Sequence, residues 1–179
     1  MASNRVGLSL VTALARRLAA GLAPLPSPGV MLSPEAFLAV VRDAPLVAID
    51  LLLEDPAGRL LVGLRRNEPA QGWWFVPGGR VRKGEALAEV LVRIAHAELA
   101  LPLALDDCHL DGVDEHHYAT NFAGVDGIAT HYVVLAYRRR LATPPPPRPD
   151  GEHQEPRWLS PEELRAHPRV HPNTRAYAR

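Results

Sequence analysis

A strong helical repeat of apolar residues lies in the middle of the chain, between residues 87 and 95. The apolar positions recur at the spacing of one helix face, at Leu87, Val90, Leu91, Ile94 and Ala95. This spacing predicts an amphipathic helix whose apolar face packs against a core. The glycine pair Gly78-Gly79 precedes the helix and follows the apolar run Trp73–Val76. A strand, a glycine-rich turn and a helix in this order bring backbone groups close to a bound phosphate.

Apolar and alternating runs elsewhere complete a set of predicted strands. They are Leu46–Leu53, Arg59–Arg66, Trp73–Val76, Cys108–Glu115, Ile128–Arg140 and Pro156–Leu159. The turn residues Asp55–Gly58 separate the first two strands, which we expect to pair as a hairpin. The polar stretch His116–Gly127 predicts a long loop, and the proline-rich stretch Thr143–Asp150 predicts a stiff, extended one.

Capping signals predict two further helices. Ser33 precedes Pro34 and Glu35, and the helix that begins there should end near Asp43. The segment Ser160–Glu163 has the form of a capping box and predicts a final helix. Strands and helices mix without regular βαβ alternation. The predicted fold class is therefore α+β, or a mixed-sheet α/β sandwich.

Residues 1–30 contain no acidic residue and only a weak amphipathic pattern. We expect a flexible N-terminal extension, or the result of a start upstream of Met31, ahead of a single domain over residues 31–179. A targeting peptide or a helix on a membrane surface is the alternative.

The composition narrows the classes of partner. The 179 residues include 47% hydrophobic and 22% charged residues, and the formal net charge is zero. A neutral chain lacks the overall basic field that favours nucleic acid or an acidic membrane surface. The single cysteine, Cys108, excludes an internal disulfide framework and a multi-cysteine zinc site, and it fits a reducing cytoplasm. No apolar run approaches the length of a membrane span.

The central helix and the glycines before it resemble a known motif, the Nudix box. Its pattern is Gly, five residues, Glu, seven residues, then Arg-Glu-apolar-any-Glu-Glu-any-Gly-apolar. The residues in register with it are Gly79, Glu85, Arg93, Ala95, Glu98 and Leu101. Three positions depart from the pattern: Ile94 and Ala97 replace carboxylates, and Ala100 replaces glycine.

These departures change the expected metal site. In the full motif, acids at positions 94, 97 and 98 share one helix face and can hold several cations. Glu98 alone cannot hold such a cluster. We expect one Mg²⁺, or Mn²⁺, in each active site, held by Glu98, a backbone carbonyl of Gly78 or Gly79, and phosphate oxygens. The resemblance adds Glu152 as a ligand, because relatives carry a magnesium-binding glutamine there.

The departures are similar to one branch of the Nudix family, the GDP-mannose mannosyl hydrolases, which break the sugar–oxygen bond rather than the pyrophosphate. The likeness extends over residues 31–179. Further segments that recur in the branch are Pro69–Arg80, Asn121-Phe122, Thr130–Leu135, Arg157–Leu159 and Arg175–Tyr177. The resemblance implies hydrolysis of GDP-mannose, or of GDP-glucose, to GDP and free sugar by attack of water at C1 with inversion. It also implies the Nudix fold, an α+β fold (α/β/α sandwich) with a mixed β-sheet flanked by helices, and a homodimer.

The resemblance assigns roles to six residues outside the box helix. They are the candidate base His153, the diphosphate contacts Arg65 and Arg80, the donor Tyr132, and the sugar contacts Asp50 and His116. A histidine titrates near neutral pH, which suits proton abstraction from water, and we expect His153 on the loop after the prolines. For Tyr132 the alternative is an aromatic residue on a strand face. A carboxylate inside an apolar strand, as at position 50, demands a partner.

Other polar and aromatic residues have structural interpretations. We expect Arg93 to pair with Glu85 and so to close the loop onto the helix. His117 and His131 are expected to be structural, and the aromatic segment Trp73–Phe75 is expected to form a core strand and an interface.

Two alternative functions stay open. One is a Nudix pyrophosphohydrolase of another nucleoside diphosphate derivative, in which a loop acid such as Glu152 compensates for the losses at Ile94 and Ala97. The other is a non-catalytic domain that binds a nucleotide sugar as a sensor. Diphosphate is a weak base once a cation neutralises it, so its departure from C1 does not require the two carboxylates of ordinary glycoside hydrolysis.

Overall fold

A computed structural model describes residues 31–99, 102–144 and 153–178, and for residues 153 and 154 it describes the backbone. The helices are α1 (Pro34–Asp43), α2 (Leu87–Leu99), α3 (Pro161–Ala166) and α4 (Pro172–Arg175), with a 3-10 turn at Leu105–Asp107. The strands are β1 (Leu46–Glu54), β2 (Leu60–Arg65), β3 (Trp74–Phe75), β4 (Gly78–Arg80), β5 (His109–Tyr118), β6 (Thr130–Arg140) and β7 (His153–Leu159).

The seven strands of the described residues form one mixed sheet. Its main path runs β3-β2-β1-β6-β5, while β4 pairs with β1 and β7 pairs with β2. Strand β1 runs parallel to β6 along its whole length, and β5 runs antiparallel to β6. Strand β4 pairs with the first half of β1, from Ala48 to Asp50, and so brings the glycine pair into the middle of the sheet.

Alternation along β1 separates two layers of core, since successive side chains of a strand point to opposite faces. Ile49, Leu51 and Leu53 pack with the apolar face of α2. Leu52 belongs to a second cluster on the opposite face, which includes Trp74, Leu164, Val170 and Tyr177. Asp50 has the parity of Leu52, so its carboxylate points to the face that the C-terminal segment covers.

This arrangement confirms the predicted α/β/α sandwich and most of its elements. Helix α1 begins where expected, because the Ser33 hydroxyl accepts a hydrogen bond from the Ala36 N–H. Helix α3 begins with the predicted capping box, in which Ser160 and Glu163 accept hydrogen bonds from each other's backbone N–H. Among the described residues, no helix has both the length and the apolar character needed to span a bilayer.

Three expectations about strand boundaries are wrong. Gly78–Arg80 is a strand rather than only a turn, because β1 offers it a hydrogen-bonded partner. Strand β5 continues to Tyr118, since residues 116 to 118 pair with residues 132 to 130 of β6. Strand β7 begins at His153, whose backbone pairs with that of Arg65, so His153 is not on a loop. Each error arises because pairing partners distant in sequence override local polarity. Residues 1–30, the box positions 100–101 and the segment 145–152 lie outside the described residues.

Candidate active site

A pocket of about 270 Å³ opens on the face of the sheet that carries Asp50. Seven of the residues singled out from the sequence line it: Asp50, Arg65, Gly78, Gly79, Arg80, His116 and Tyr132. Their side chains and backbones therefore share one cavity, although they come from five strands spread over more than eighty residues of chain. Four aromatic residues for which no site role was predicted also line it: Phe37, Phe75, Tyr118 and Phe122.

Three neighbouring strands form the floor of this pocket. In the register of β5, β6 and β1, His116 lies opposite Tyr132, and Val134 lies opposite Ala48. Because these positions have the same parity on paired strands, their side chains emerge on one face. Arg65 and Arg80 extend into the same cavity from the ends of β2 and β4.

Asp50 is the acidic residue of the pocket floor, where it is half-buried. The Tyr177 hydroxyl donates a hydrogen bond of 2.9 Å to Asp50 Oδ2. Burial raises the pKa of Asp50 to about 7, although the bond from Tyr177 and the charge of Arg65 act to lower it. Tyr177 is thus the partner that a carboxylate in an apolar strand requires.

His116 is the second polar group of the floor. Its Nε2 lies 3.5 Å from the Tyr177 hydroxyl, and its Nδ1 lies 3.5 Å from the Tyr118 hydroxyl. Burial lowers the pKa of His116 to about 4, so the imidazole is neutral at pH 7. Burial also raises the pKa of Tyr118 to about 12, so this hydroxyl keeps its proton. The floor therefore offers neutral donors and acceptors beside one carboxylate.

Two arginines form the wall above the floor. The Arg65 Nε donates to the Pro69 carbonyl at 3.1 Å, and its guanidinium lies 5.6 Å from the centre of the Phe75 ring. The Arg80 guanidinium lies 3.7 Å from the centre of the Phe37 ring. Stacking on an aromatic face orients a guanidinium while leaving its edge donors available. Guanidinium groups held in this way are suited to binding the oxygens of a diphosphate.

The loop between β5 and β6, which brings Phe122 to the pocket, is shaped by the buried side chain of Asn121. Its Nδ2 donates to the carbonyls of Val125 and Ile128, and its Oδ1 accepts from the backbone N–H of Ala123 and Val125. These bonds shape the loop between β5 and β6. The next residue, Phe122, then lies 4.8 Å from the Phe37 ring, centre to centre. The pair Asn121-Phe122 recurs in the resembled branch, so the sequence pointed to this loop. That Asn121 shapes the loop and Phe122 packs on Phe37 follows only from the folded structure.

The Glu98 carboxylate lies beside the backbone of Gly78, where helix α2 meets β4. The Glu98 Oε2 accepts a hydrogen bond of 3.2 Å from the Gly78 N–H, so the carboxylate lies against the glycine backbone. Carboxylate and carbonyl oxygens are the ligands that Mg²⁺ prefers, and the predicted donor set therefore fits that ion. Within the described ranges, no three His, Cys, Asp or Glu side chains converge as a metal-binding group. Glu152 lies outside the described residues.

The comparisons with known proteins agree with this geometry. The family model of the NUDIX domain matches residues 44–179. The chain belongs to the Nudix family. The Nudix fold is also found in solved structures that superpose on this chain.

Three relatives illustrate the match. The low-salt glycan biosynthesis protein Agl8 of Haloferax volcanii is 41% identical over 104 residues, which are 58% of this chain and 64% of that protein, so the match spans under two thirds of the relative. A MutT protein from Methanosarcina mazei Go1 has a TM-score of 0.60 at 18% identity, covering 76% of this chain and 92% of that one. A MutT NUDIX hydrolase from Burkholderia pseudomallei has a TM-score of 0.58 at 24% identity, covering 76% and 97%. At these identities the two structures support the fold alone.

Within the Nudix box, the predicted pair of Arg93 and Glu85 is confirmed. The Arg93 guanidinium donates two hydrogen bonds of 2.8 Å to the Glu85 carboxylate and one of 2.9 Å to the Arg80 carbonyl. Arg93 therefore ties the loop between β4 and α2 to the helix. Ile94, which replaces a carboxylate of the motif, is buried in the core under α2. Ala97, which replaces another, is exposed.

Two expectations from the sequence concern histidines. The backbone of His153 pairs with that of Arg65, which lines the pocket. Position 153 therefore lies near the site. His117 and His131 stack on each other at 4.3 Å between ring centres, at paired positions of β5 and β6. That contact accords with the structural role expected of both.

Proposed function

We propose that this Nudix protein hydrolyses a nucleoside diphosphate sugar, GDP-mannose or GDP-glucose, at the sugar C1–oxygen bond. The observation that carries the proposal is one shared pocket, in which two arginines stand above a floor made of Asp50 and neutral His116. The arginines suit a diphosphate, and the floor suits the hydroxyl groups of a sugar. The similarity to a protein named for glycan biosynthesis supports a sugar-containing substrate.

The Nudix box of this chain favours a site with few metal ligands. Position 94 is occupied by an isoleucine that packs in the core, and position 97 carries an alanine. Glu98 and the backbone carbonyl of Gly78 or Gly79 would hold the cation, with Glu152 as a further ligand. When bound, Mg²⁺ neutralises charge on the diphosphate. Attack of water at phosphorus would call for several cations to activate the water, and a cluster of cations would require more carboxylate ligands than α2 offers.

The residues of the chain then have separate roles. Arg65 and Arg80 bind the diphosphate oxygens and stabilise the charge that develops there as the bond breaks. Tyr132 donates a hydrogen bond to the leaving group. Asp50 and His116 hold the sugar so that C1 faces the attacking water.

His153 acts as the base that activates this water. A water oxygen forms a bond to C1 while the bond from C1 to the diphosphate oxygen breaks, and the bonding electrons leave with the diphosphate. One water proton passes to the imidazole of His153. The products are GDP and the sugar with inverted configuration at C1. The diphosphate leaves without a proton from an acid of the protein.

The position of bond cleavage tests this proposal. The full chain is incubated in oxygen-18 water with Mg²⁺ and a panel of nucleotide sugars, and products are identified by phosphorus NMR and mass spectrometry. The proposal expects label in the free sugar and unlabelled GDP. Label in a nucleoside monophosphate or a sugar phosphate would identify a pyrophosphohydrolase. Tight binding without any product would identify a sensor.

A variant pair tests the base. His153→Asn should lower kcat by roughly 100-fold or more, the typical contribution of a general base. His109→Asn changes an exposed histidine of β5 that does not line the pocket, and it should retain full activity. Equal activity of the two variants would remove His153 from the mechanism.

A further inference from the structure

The C-terminal segment of the chain enters the floor of the pocket through a single hydroxyl. Tyr177 is 2% exposed and belongs to the core cluster under α3. Its hydroxyl donates to Asp50 Oδ2 at 2.9 Å and lies 3.5 Å from His116 Nε2. One group from the end of the chain thus contacts both polar residues of the floor.

The segment that carries Tyr177 is held by contacts with β3 and by hydrogen bonds within the segment itself. The ring of His171 packs on Phe75 at 4.6 Å between centres. The Arg175 guanidinium donates to the carbonyls of His167 and Pro168. The Arg175 bonds are internal to the segment, whereas the Trp74 N–H of β3 donates to the Arg169 carbonyl at 2.8 Å and the His171 N–H donates to the Trp74 carbonyl at 3.3 Å. These contacts fix the segment on the sheet and give the Tyr177 hydroxyl a defined position.

The hydrogen bonds of the floor can be satisfied in one consistent direction. Asn173 Nδ2 donates to the Tyr118 hydroxyl at 3.3 Å, and this hydroxyl lies 3.5 Å from His116 Nδ1. A tyrosine hydroxyl has one hydrogen, and a neutral imidazole has one donor and one acceptor nitrogen. If Tyr177 donates to Asp50, it can only accept from His116, whose Nε2 must then carry the proton. Tyr118 in turn donates to Nδ1, and the relay ends on the carboxylate.

We propose that Tyr177 is a positioning residue of the sugar subsite. Its hydroxyl fixes the orientation of the Asp50 carboxylate and sets His116 as the tautomer with hydrogen on Nε2. The other carboxylate oxygen, Oδ1, faces Gly78, where a Cβ would come within 2.8 Å of it. The inference rests on the proposed function, in which Asp50 and His116 contact the sugar.

The main test is the variant Tyr177→Phe, which removes one oxygen and retains the ring in the core. A hydrogen bond to a charged group typically accounts for about 10- to 100-fold. We expect kcat/KM for the nucleotide sugar to fall by about this factor, while the Kd for GDP changes less than about 2-fold. The matched control is Tyr137→Phe, which removes a tyrosine hydroxyl from the side of the sheet under α2.

A double-mutant cycle shows whether Tyr177 acts through Asp50. In an Asp50→Ala background the change Tyr177→Phe should have little further effect, because the oxygen it orients is gone. A second variant, Asn173→Ala, removes the first donor of the relay and touches neither Asp50 nor Tyr177. It should cause a smaller loss, about 3-fold, that also disappears in the Asp50→Ala background. If Tyr177→Phe did not fold, the tautomer of His116 in the wild type would decide, because hydrogen on Nδ1 would contradict the relay.

Nitrogen-15 NMR of the histidines gives a readout that needs no substrate. Wild type should show His116 with the proton on Nε2, and Tyr177→Phe should show a mixture of tautomers. An unchanged tautomer, full activity of Tyr177→Phe, or losses that add in the Asp50→Ala background would each overturn the inference. Failure of the proposed function is distinct, because oxygen-18 would then appear in a phosphorus-containing product while the NMR result stood.

Discussion

The Glu98 carboxylate accepts a hydrogen bond from the Gly78 N–H, with 3.2 Å between the two atoms. This bond joins the last turn of α2 to the first residue of β4. The box helix has lost two carboxylates of the Nudix motif, at positions 94 and 97, and Glu98 is the one that contacts the glycine backbone. The acid that remains is therefore positioned by the sheet as well as by the helix.

Replacing Glu98 by glutamine should inactivate the enzyme without unfolding it. The substituted amide retains an oxygen that can accept from the Gly78 N–H, but it lacks the negative charge that favours a divalent cation. We expect kcat with saturating Mg²⁺ to fall by about 100-fold or more, because a catalytic metal contributes several kcal/mol. The thermal midpoint should be nearly unchanged.

Glu89→Gln is the matched control for that variant, because Glu89 also lies on α2 and accepts a backbone N–H bond, from Ala86. It should retain activity. A Glu98→Gln enzyme with wild-type kcat and the same Mg²⁺ dependence would show that Glu98 is not a ligand.

The two adjacent glycines should respond differently to alanine. A Cβ on Gly78 would lie 2.7 Å from the Ile49 carbonyl oxygen and 2.8 Å from Asp50 Oδ1, and the first of these is backbone that cannot give way. A Cβ on Gly79 would meet Ile94 Cγ1 at 3.4 Å, an ordinary contact. Gly78→Ala should cost roughly 1–3 kcal/mol of unfolding free energy, and Gly79→Ala much less.

The free energies of unfolding of the two variants are measured side by side by chemical denaturation. Similar midpoints for both would mean that β4 shifts to accept the methyl group.

The pair of Glu85 and Arg93 should stabilise the fold at neutral pH and lose this contribution in acid. The hydrogen bond from Arg93 lowers the pKa of Glu85 below its ordinary 4.5, and its side chain is only 10% exposed. A lowered folded-state pKa means stability that is present above pH 4.5 and lost as the pH falls through the folded value. Glu85→Gln should cost roughly 1–3 kcal/mol at pH 7 and show a smaller further loss towards pH 3.

Thermal unfolding between pH 7 and pH 3 checks this. Glu155→Gln, which breaks an exposed pair with Arg157, should leave both the midpoint and its pH dependence almost unchanged. A parallel acid response of wild type and Glu85→Gln would refute the linkage.

Asp50 should have the opposite effect on stability. Its pKa rises from 3.8 to about 7 on folding, so the folded protein holds a proton that the unfolded chain has released. The stability that comes from this bound proton is complete below the unfolded pKa of 3.8 and is lost as the pH rises through about 7. Asp50→Asn should remove that slope and should unfold at a higher temperature than wild type at pH 8.

The measurement is made in EDTA, so that no cation interacts with the carboxylate. Asp126→Asn, in the exposed part of the loop between β5 and β6, is the control and should follow wild type at every pH. An Asp50→Asn variant that is less stable than wild type at pH 8 would contradict this prediction. It would mean that the folded protein stabilises the charged form of the carboxylate.

The strongest local sequence patterns were sufficient to predict many of the helices and strands. The helical repeat from Leu87, the capping signals at Ser33 and Ser160, and the apolar run of β1 each determine an element through interactions between near neighbours in the chain. The spacing of Glu85 and Arg93 also lies within one loop and helix, so their pairing could be predicted. Nothing in these patterns required knowledge of the sheet order.

Tertiary structure decided the rest, because it depends on groups that are distant in sequence. Strand β4 exists because β1 lies beside it, and position 78 must be glycine because the Ile49 carbonyl is there. The partner of Asp50 is Tyr177, more than a hundred residues away, and the motif that carries Arg175–Tyr177 does not reveal that contact. The sequence by itself determined helices α1, α2 and α3 and most of the strands, because periodicity and capping act between near neighbours in the chain, and its Nudix box resemblance indicated the family. Only the packed sheet decided which side chains share the pocket, because that depends on strand order, register and burial.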